Sequence, residues 1–154
     1  MALYEIKSRF DKSVLFRFDC DTLKLCVEAA VRANISLGDT DLDGADLRDA
    51  HLRGADLGGA DIRDAHLRGV YLGGAHLGGA NAPGIIQLGF PNGWPAWAIA
   101  EKDTNRLLIT VGCHRDEPLS QGRAYWAGRN NRREVLAALD YAEAIAKLRG
   151  WVVT

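Results

Sequence analysis

From Ile35 to Gly84 the large apolar positions of the chain return every five residues. The centres of the first nine units are Leu37, Leu42, Leu47, Leu52, Leu57, Ile62, Leu67, Leu72 and Leu77. Two residues before each stands a small or β-branched side chain: Ile35, Thr40, Ala45, Ala50, Ala55, Ala60, Ala65, Val70 and Ala75, with Ala80 opening the tenth unit. A helix would need apolar spacings of three and four, and a half-buried strand would need alternation. A period of five predicts neither. It predicts a coil that turns a corner every five residues, pointing one large and one small side chain inward on each side. Glycine follows the same division, since eleven of the 17 glycines lie between Gly38 and Gly84 and none precedes Gly38. An internal repeat is therefore the organising feature of the chain.

Units such as Ala45-Asp46-Leu47-Arg48-Asp49 and Ala50-His51-Leu52-Arg53-Gly54 resemble the pentapeptide-repeat family, whose pattern is Ala-(Asp/Asn)-Leu-X-X. That resemblance implies a right-handed, four-sided β-helix with four pentapeptides in each coil. The ten units would then make two and a half coils, a solenoid about 12 Å tall at the inter-strand spacing. A second, shorter echo, Asp46 to Gly54 against Asp61 to Gly69, points to duplication of three pentapeptides. Leucines would stack along the axis and alanines fill the corners, where only a methyl fits. Glycines at the last two positions of a unit, as in Gly58-Gly59 and Gly78-Gly79, would relieve backbone angles that a Cβ forbids. Folded in twenties, the sequence sets Asp61 above Asp41, His66 above Asp46, Tyr71 above His51 and His76 above Asp56. Arg48 and Arg68 fall in one column, and Gly38, Gly58 and Gly78 in another.

A solenoid this short needs both ends covered. Residues 1–34 read as an N-terminal cap. Leu3 to Phe10 and Val14 to Asp19 form a hairpin around Asp11-Lys12-Ser13, and Thr22 caps a helix carrying Leu23, Cys26, Val27 and Ala30 on one face up to Asn34. Ala82-Pro83-Gly84 ends the repeat. Residues 85–154 form a second module. A hairpin pairs Trp97 to Glu101 with Leu107 to Val111, Ser120 caps a short helix through Trp126, and a longer helix runs from Arg132 to Leu148. Its stripe is Val135, Leu136, Leu139, Ala142, Ile145 and Ala146, and Gly150 ends it. The expected fold is mainly β, a short quadrilateral β-helix between α+β caps. Gly112-Cys113-His114, Ala124-Tyr125-Trp126 and Arg149-Gly150-Trp151 are also similar to the tails of small phage and prophage pentapeptide-repeat proteins.

Composition narrows the function. The 154 residues carry 19 Lys and Arg against 20 Asp and Glu, a net charge of -1, so no global field exists for gripping phosphates or anionic lipid. The longest apolar stretch, Trp94 to Ala100, is far short of the roughly 20 residues that a spanning helix needs. A charge follows Met-Ala-Leu-Tyr at once, unlike a signal peptide, and three cysteines are an odd number for a disulfide framework. A soluble cytoplasmic protein is expected.

The chemical candidates are few. Cys113 beside His114 is a nucleophile pair in name, but strand neighbours point to opposite faces, so packing explains the cysteine. His51, His66 and His76 share no column, and Cys20 and Cys26 have no metal-type partner, so neither metal nor cofactor is expected. The run from Arg129 to Arg133 reads as a solvated loop. The repeat itself holds eight aspartates against four arginines, and Asp41, Asp43, Asp46, Asp56 and Asp61 are the candidate binding residues of an acidic face. Trp94, Trp97 and Trp126 are the candidate dimer or partner residues, because all four tryptophans lie in the tail, more apolar surface than a small module readily buries. The resulting expectation is a non-enzymatic interaction module, with no direct nucleic-acid or membrane binding, that meets a host or phage protein and dimerises through its C-terminal half. The alternative is an acidic mimic of DNA that inhibits a host enzyme such as DNA gyrase, a nuclease or a CRISPR-type effector. Against it, duplex DNA carries one charge per about 1.7 Å, or about seven over this height, whereas the repeat nets four.

Overall fold

The computed structural model describes residues 1–112, 114–129 and 132–154. They divide into two compact units, Met1–Pro83 and Gly84–Thr154. The chain is mixed α/β rather than mainly β: α-helices and antiparallel sheets accompany the repeat. Among the described residues no helix is long and apolar enough to cross a membrane.

The first unit opens with an antiparallel hairpin, β1 (Ala2–Lys7) against β2 (Val14–Cys20). Its turn is held by Asp11, whose carboxylate accepts from the Ser13 N–H at 3.0 Å and the Ser13 hydroxyl at 2.7 Å. Helix α1 (Leu23–Arg32) starts as expected, with the Thr22 hydroxyl accepting from the Leu25 N–H. Cys26, Val27, Ala29 and Ala30 form its buried face. Asn34 closes it in the left-handed region at φ 54°, while the Ile35 N–H reaches back to the Ala30 carbonyl at 2.9 Å.

The repeat follows in a register of twenty residues. Parallel bridges join Asp41 to Asp61, Asp46 to His66, His51 to Tyr71, Asp56 to His76 and Asp61 to Asn81. From Leu37 to Leu57 each leucine N–H donates to the next layer, as Leu47 does to the His66 carbonyl at 3.0 Å and Leu52 to the Tyr71 carbonyl at 2.9 Å. The bridges stay isolated because each side gives only a residue or two to the ladder before the chain turns. Leu37, Leu42, Leu47, Leu52 and Leu57 are each 1% exposed, so the aliphatic layers are dry.

The corners explain the rest of the motif. In most units the N–H of the first residue closes a turn on the preceding leucine carbonyl, as Ala45 does to Leu42 and Ala60 to Leu57, both at 3.1 Å. The fifth residue of every unit from Asp39 to Gly79 has a positive φ, between 51° and 75°. That residue is always Gly or Asp. Glycine adopts this region freely, and Asp tolerates it through local hydrogen bonding. The fourth position does not share the constraint: Gly58, Gly73 and Gly78 lie outside the positive-φ set. The expectation that both glycines of a pair serve the backbone therefore holds only for the second.

The second unit is a four-stranded antiparallel sheet in the order β3 (Ile85–Gly89), β4 (Ala96–Ala100), β5 (Leu107–Val111) and β6 (His114–Pro118). Helices α2 (Leu119–Ala127) and α3 (Arg133–Leu148) close its core with Leu119, Trp126, Val135, Leu139, Ala142 and Ala146. The expected β4–β5 hairpin and long helix are present. Ser120 is not the cap of α2, because Pro118 occupies that position and makes no side-chain cap bond. The Ser120 N–H instead donates to the Thr154 carbonyl at 3.0 Å, tying the chain's end to the helix.

Candidate interaction surface

The second position of each pentapeptide supplies the side chains of the bridged columns, and an aspartate there has a local duty first. Asp41, Asp46, Asp56 and Asp61 each accept, through one carboxylate oxygen, the backbone N–H two residues on, at 3.2–3.4 Å. This Asx-type bond braces the approach to the corner.

Each of these four carboxylates also has a second partner. Lys12, from the hairpin turn, donates to Asp41. Arg48 grips Asp46 in bidentate fashion, at 2.8 and 2.5 Å. Asp56 accepts from the Ser36 hydroxyl at 2.6 Å and faces His76 Nδ1 at 3.2 Å. Arg63 grips Asp61 at 2.9 and 2.8 Å and reaches Asp43 at 3.6 Å. The partners lower the carboxyl pKa values: Lys12 that of Asp41, Arg48 that of Asp46 well below the carboxylate range, Ser36 that of Asp56, and Arg63 that of Asp61.

The five candidate aspartates are thus not equivalent. Asp43, Asp46 and Asp56 are exposed, Asp41 is half-buried, and Asp61 is 7% exposed. Asp61 braces the interior of its column, with Asn81 Nδ2 above it at 3.4 Å. Arg9, whose guanidinium donates to the Gly59 carbonyl at 2.6 Å, adds positive potential at Asp61. The column expected to be acidic is therefore flanked by Arg9, Lys12 and Arg63. The glycine column is not bare either. The His76 ring lies against it, and a Cβ on Gly78 would come within 2.7 Å of its Nε2.

One functional side chain escaped the sequence reading. Glu28 is 7% exposed, and its Oε1 accepts from the His51 N–H at 2.8 Å. In the next layer the Tyr71 N–H uses the Ala50 carbonyl in the same way, so Glu28 of α1 stands in for a missing layer. Beside it the Asp41 N–H donates to the Lys7 carbonyl at 2.8 Å, and Ser8 bridges Thr40. Hairpin and helix together pair the open edge. The signal was present as a lone carboxylate inside the buried run Cys26–Ala30.

The tryptophans separate. Trp97, Trp126 and Trp151 are buried at 2%, 5% and 8%, whereas Trp94 is 42% exposed and lies against Gly112. In the basic run, the Arg129 guanidinium stacks 3.6 Å over the Tyr125 ring and Arg132 lies 5.6 Å from the Trp126 ring. Cys113, the candidate nucleophile, lies outside the described residues, as do Asn130 and Asn131.

Residues 33–69 match the family model described as pentapeptide repeats, in eight copies. The chain contains a pentapeptide-repeat array. The bridges carry the register of this pentapeptide-repeat array past the matched span, to Asn81, where Val70-Tyr71 and Ala82-Pro83 depart from the Ala-Asp-Leu pattern. No curated protein and no solved structure matches the chain.

Proposed function

We propose that this chain is a non-enzymatic interaction module, in which a right-handed, four-sided coil of two and a half turns displays side chains to a protein partner. The observation that carries this reading is the braced ladder of second-position side chains. Asp46, His51, Asp56, His66, Tyr71 and His76 project at fixed spacing from a dry leucine stack, and the carboxylates among them are held by neighbours rather than poised for proton transfer. Rigid spacing suits recognition, because little side-chain entropy is lost on binding. Similarity of the tail to small phage and prophage proteins supports a phage-encoded chain acting on a bacterial host protein. The DNA-mimic alternative gains no support, since Asp61 is buried and Arg9, Lys12, Arg48 and Arg63 offset the carboxylates a mimic would present.

The test is capture of a partner from a bacterial lysate on the tagged protein, with nuclease added and salt raised to about 0.5 M, where exposed charge pairs are largely screened. The partner should stay bound, and it should stay bound to the Asp43→Asn/Asp49→Asn variant, which removes exposed charges outside the ladder. Loss of the partner in salt and in that variant would instead establish binding through an acidic field.

A further inference from the structure

The N-terminal hairpin has two edges, and the repeat uses one of them. Lys7 on the β1 side accepts from Asp41, and Ser8 bridges Thr40. Among the described residues β2 has no strand partner other than β1. It is a seven-residue strand whose one register shift lies toward its start, between the pairs of Ile6 and Lys7, so Phe16 to Cys20 are regular. The hairpin is also the most apolar exposed surface of its unit: Phe10 is 74% exposed, Val14 46%, Leu15 43% and Phe18 44%. A regular, apolar, open edge templates another strand.

The sequence of β2 selects which strand. Phe16 and Phe18 share one face, their rings stacked with centroids 6.4 Å apart. Arg17 and Asp19 lie on the other, both exposed and without an ion pair among the described residues. We propose that this edge binds a second copy of the chain, β2 against β2 antiparallel, with the two-fold axis at Phe18. That register sets Arg17 opposite Asp19 of the other copy twice over, and Phe18 opposite Phe18. The two neighbouring registers that keep each face together set Arg17 against Arg17 or Asp19 against Asp19, and like charges directly opposite are unfavourable. Shifting by a single residue would set charges among the phenylalanines. On its own hairpin Arg17 already faces Glu5, so in the dimer it would lie between two carboxylates. Such an interface is isologous and closes at two copies. The C-terminal unit offers less, because only Trp94 of its tryptophans is exposed.

Sedimentation velocity at about 100 μM should give about twice the 16.8 kDa chain mass. Arg17→Asp and Asp19→Arg should each give monomer, and the Arg17→Asp/Asp19→Arg double variant should restore the dimer, with unchanged circular dichroism throughout. Phe18→Cys should oxidise to a covalent dimer, because a non-hydrogen-bonded pair brings the two Cα atoms to about 4.5 Å, within disulfide range. Overturning results are a monomer for the unaltered chain, including one whose hairpin edge is taken by a different protein, and a dimer indifferent to both charge reversals. A dimer lost in Trp94→Ala but kept in Arg17→Asp would overturn it equally, by placing the interface in the C-terminal unit.

Discussion

Glu28 tests whether the N-terminal cap is part of the coil's hydrogen-bond ladder or only a cover for it. Its carboxylate is almost wholly buried and takes the His51 N–H at 2.8 Å, a donor that the layer above satisfies with a backbone carbonyl. Arg32, the nearest cation, stands 3.9 Å from the other carboxylate oxygen with its side chain 65% exposed, and adds little. Replacing Glu28 with Ala leaves the part-buried His51 N–H unpaired, which costs at most about 1–3 kcal/mol, while a hydrogen bond to a charged group contributes about 1.5–3. Ala gains only a few tenths in helix propensity, so a net loss of about 2 kcal/mol is expected. In a unit of this size each kcal/mol moves the melting point by about 4–8 °C. Glu28→Gln keeps an acceptor and should lose about 1 kcal/mol or less. Urea unfolding followed by far-UV circular dichroism measures the loss, and hydrogen exchange at the His51 amide locates it. If Glu28→Ala stays within about 0.5 kcal/mol of the parent, as an ordinary surface change would, with His51 still protected, the cap does not serve the ladder.

At Gly122 of α2 a Cβ would lie 2.2 Å from Ile109 Cδ1, so the buried Ile109 side chain would have to shift. Gly122→Ala should therefore destabilise the second unit by about 1–3 kcal/mol despite its better helix propensity, read by tryptophan fluorescence. Gly54→Ala, at φ 68° with open space around it, should cost about 1–2 kcal/mol from the backbone alone. Gly84→Ala, without positive φ and equally open, should cost under about 0.5. Acid should weaken the first unit. The folded-state carboxyl pKa values of Asp41, Asp46, Asp56 and Asp61 are lowered, so their stabilisation is present above the unfolded value of about 3.9 and disappears as pH falls through the folded values. The melting point should be level from about pH 8 to 5 and fall below about pH 4.

The leucine phase made the repeat legible, because a five-residue period with a dry centre has no competing interpretation. Twenty-residue columns followed from it, and they are the bridges found. The Thr22 cap, the first hairpin and the stripe of α3 were legible for local reasons. Two strands were not. Ile85 to Gly89 follows the breakers Pro83-Gly84 directly and is short, and His114 to Pro118 is polar throughout and shows no alternation. Charge counted along the repeat alone omits the cations beside its acidic face. Lys12 and Arg9 come from a hairpin some thirty to fifty residues away in sequence, and no pattern within the repeat announces them. Similarly, the tryptophans read as surplus in a sequence whose pattern shows only β4 and β5 of the four strands in their unit.

The most direct measurement is of the twenty-residue register itself, since the displayed ladder depends on it. Strands in adjacent layers lie about 4.8 Å apart, within the Cα separation a disulfide accepts. The Asp46→Cys/His66→Cys variant should therefore oxidise to an intrachain disulfide, identified by peptide mass spectrometry, while Asp46→Cys/His51→Cys, which spans a corner, should not. A cross-link in the second variant and none in the first would contradict the coil.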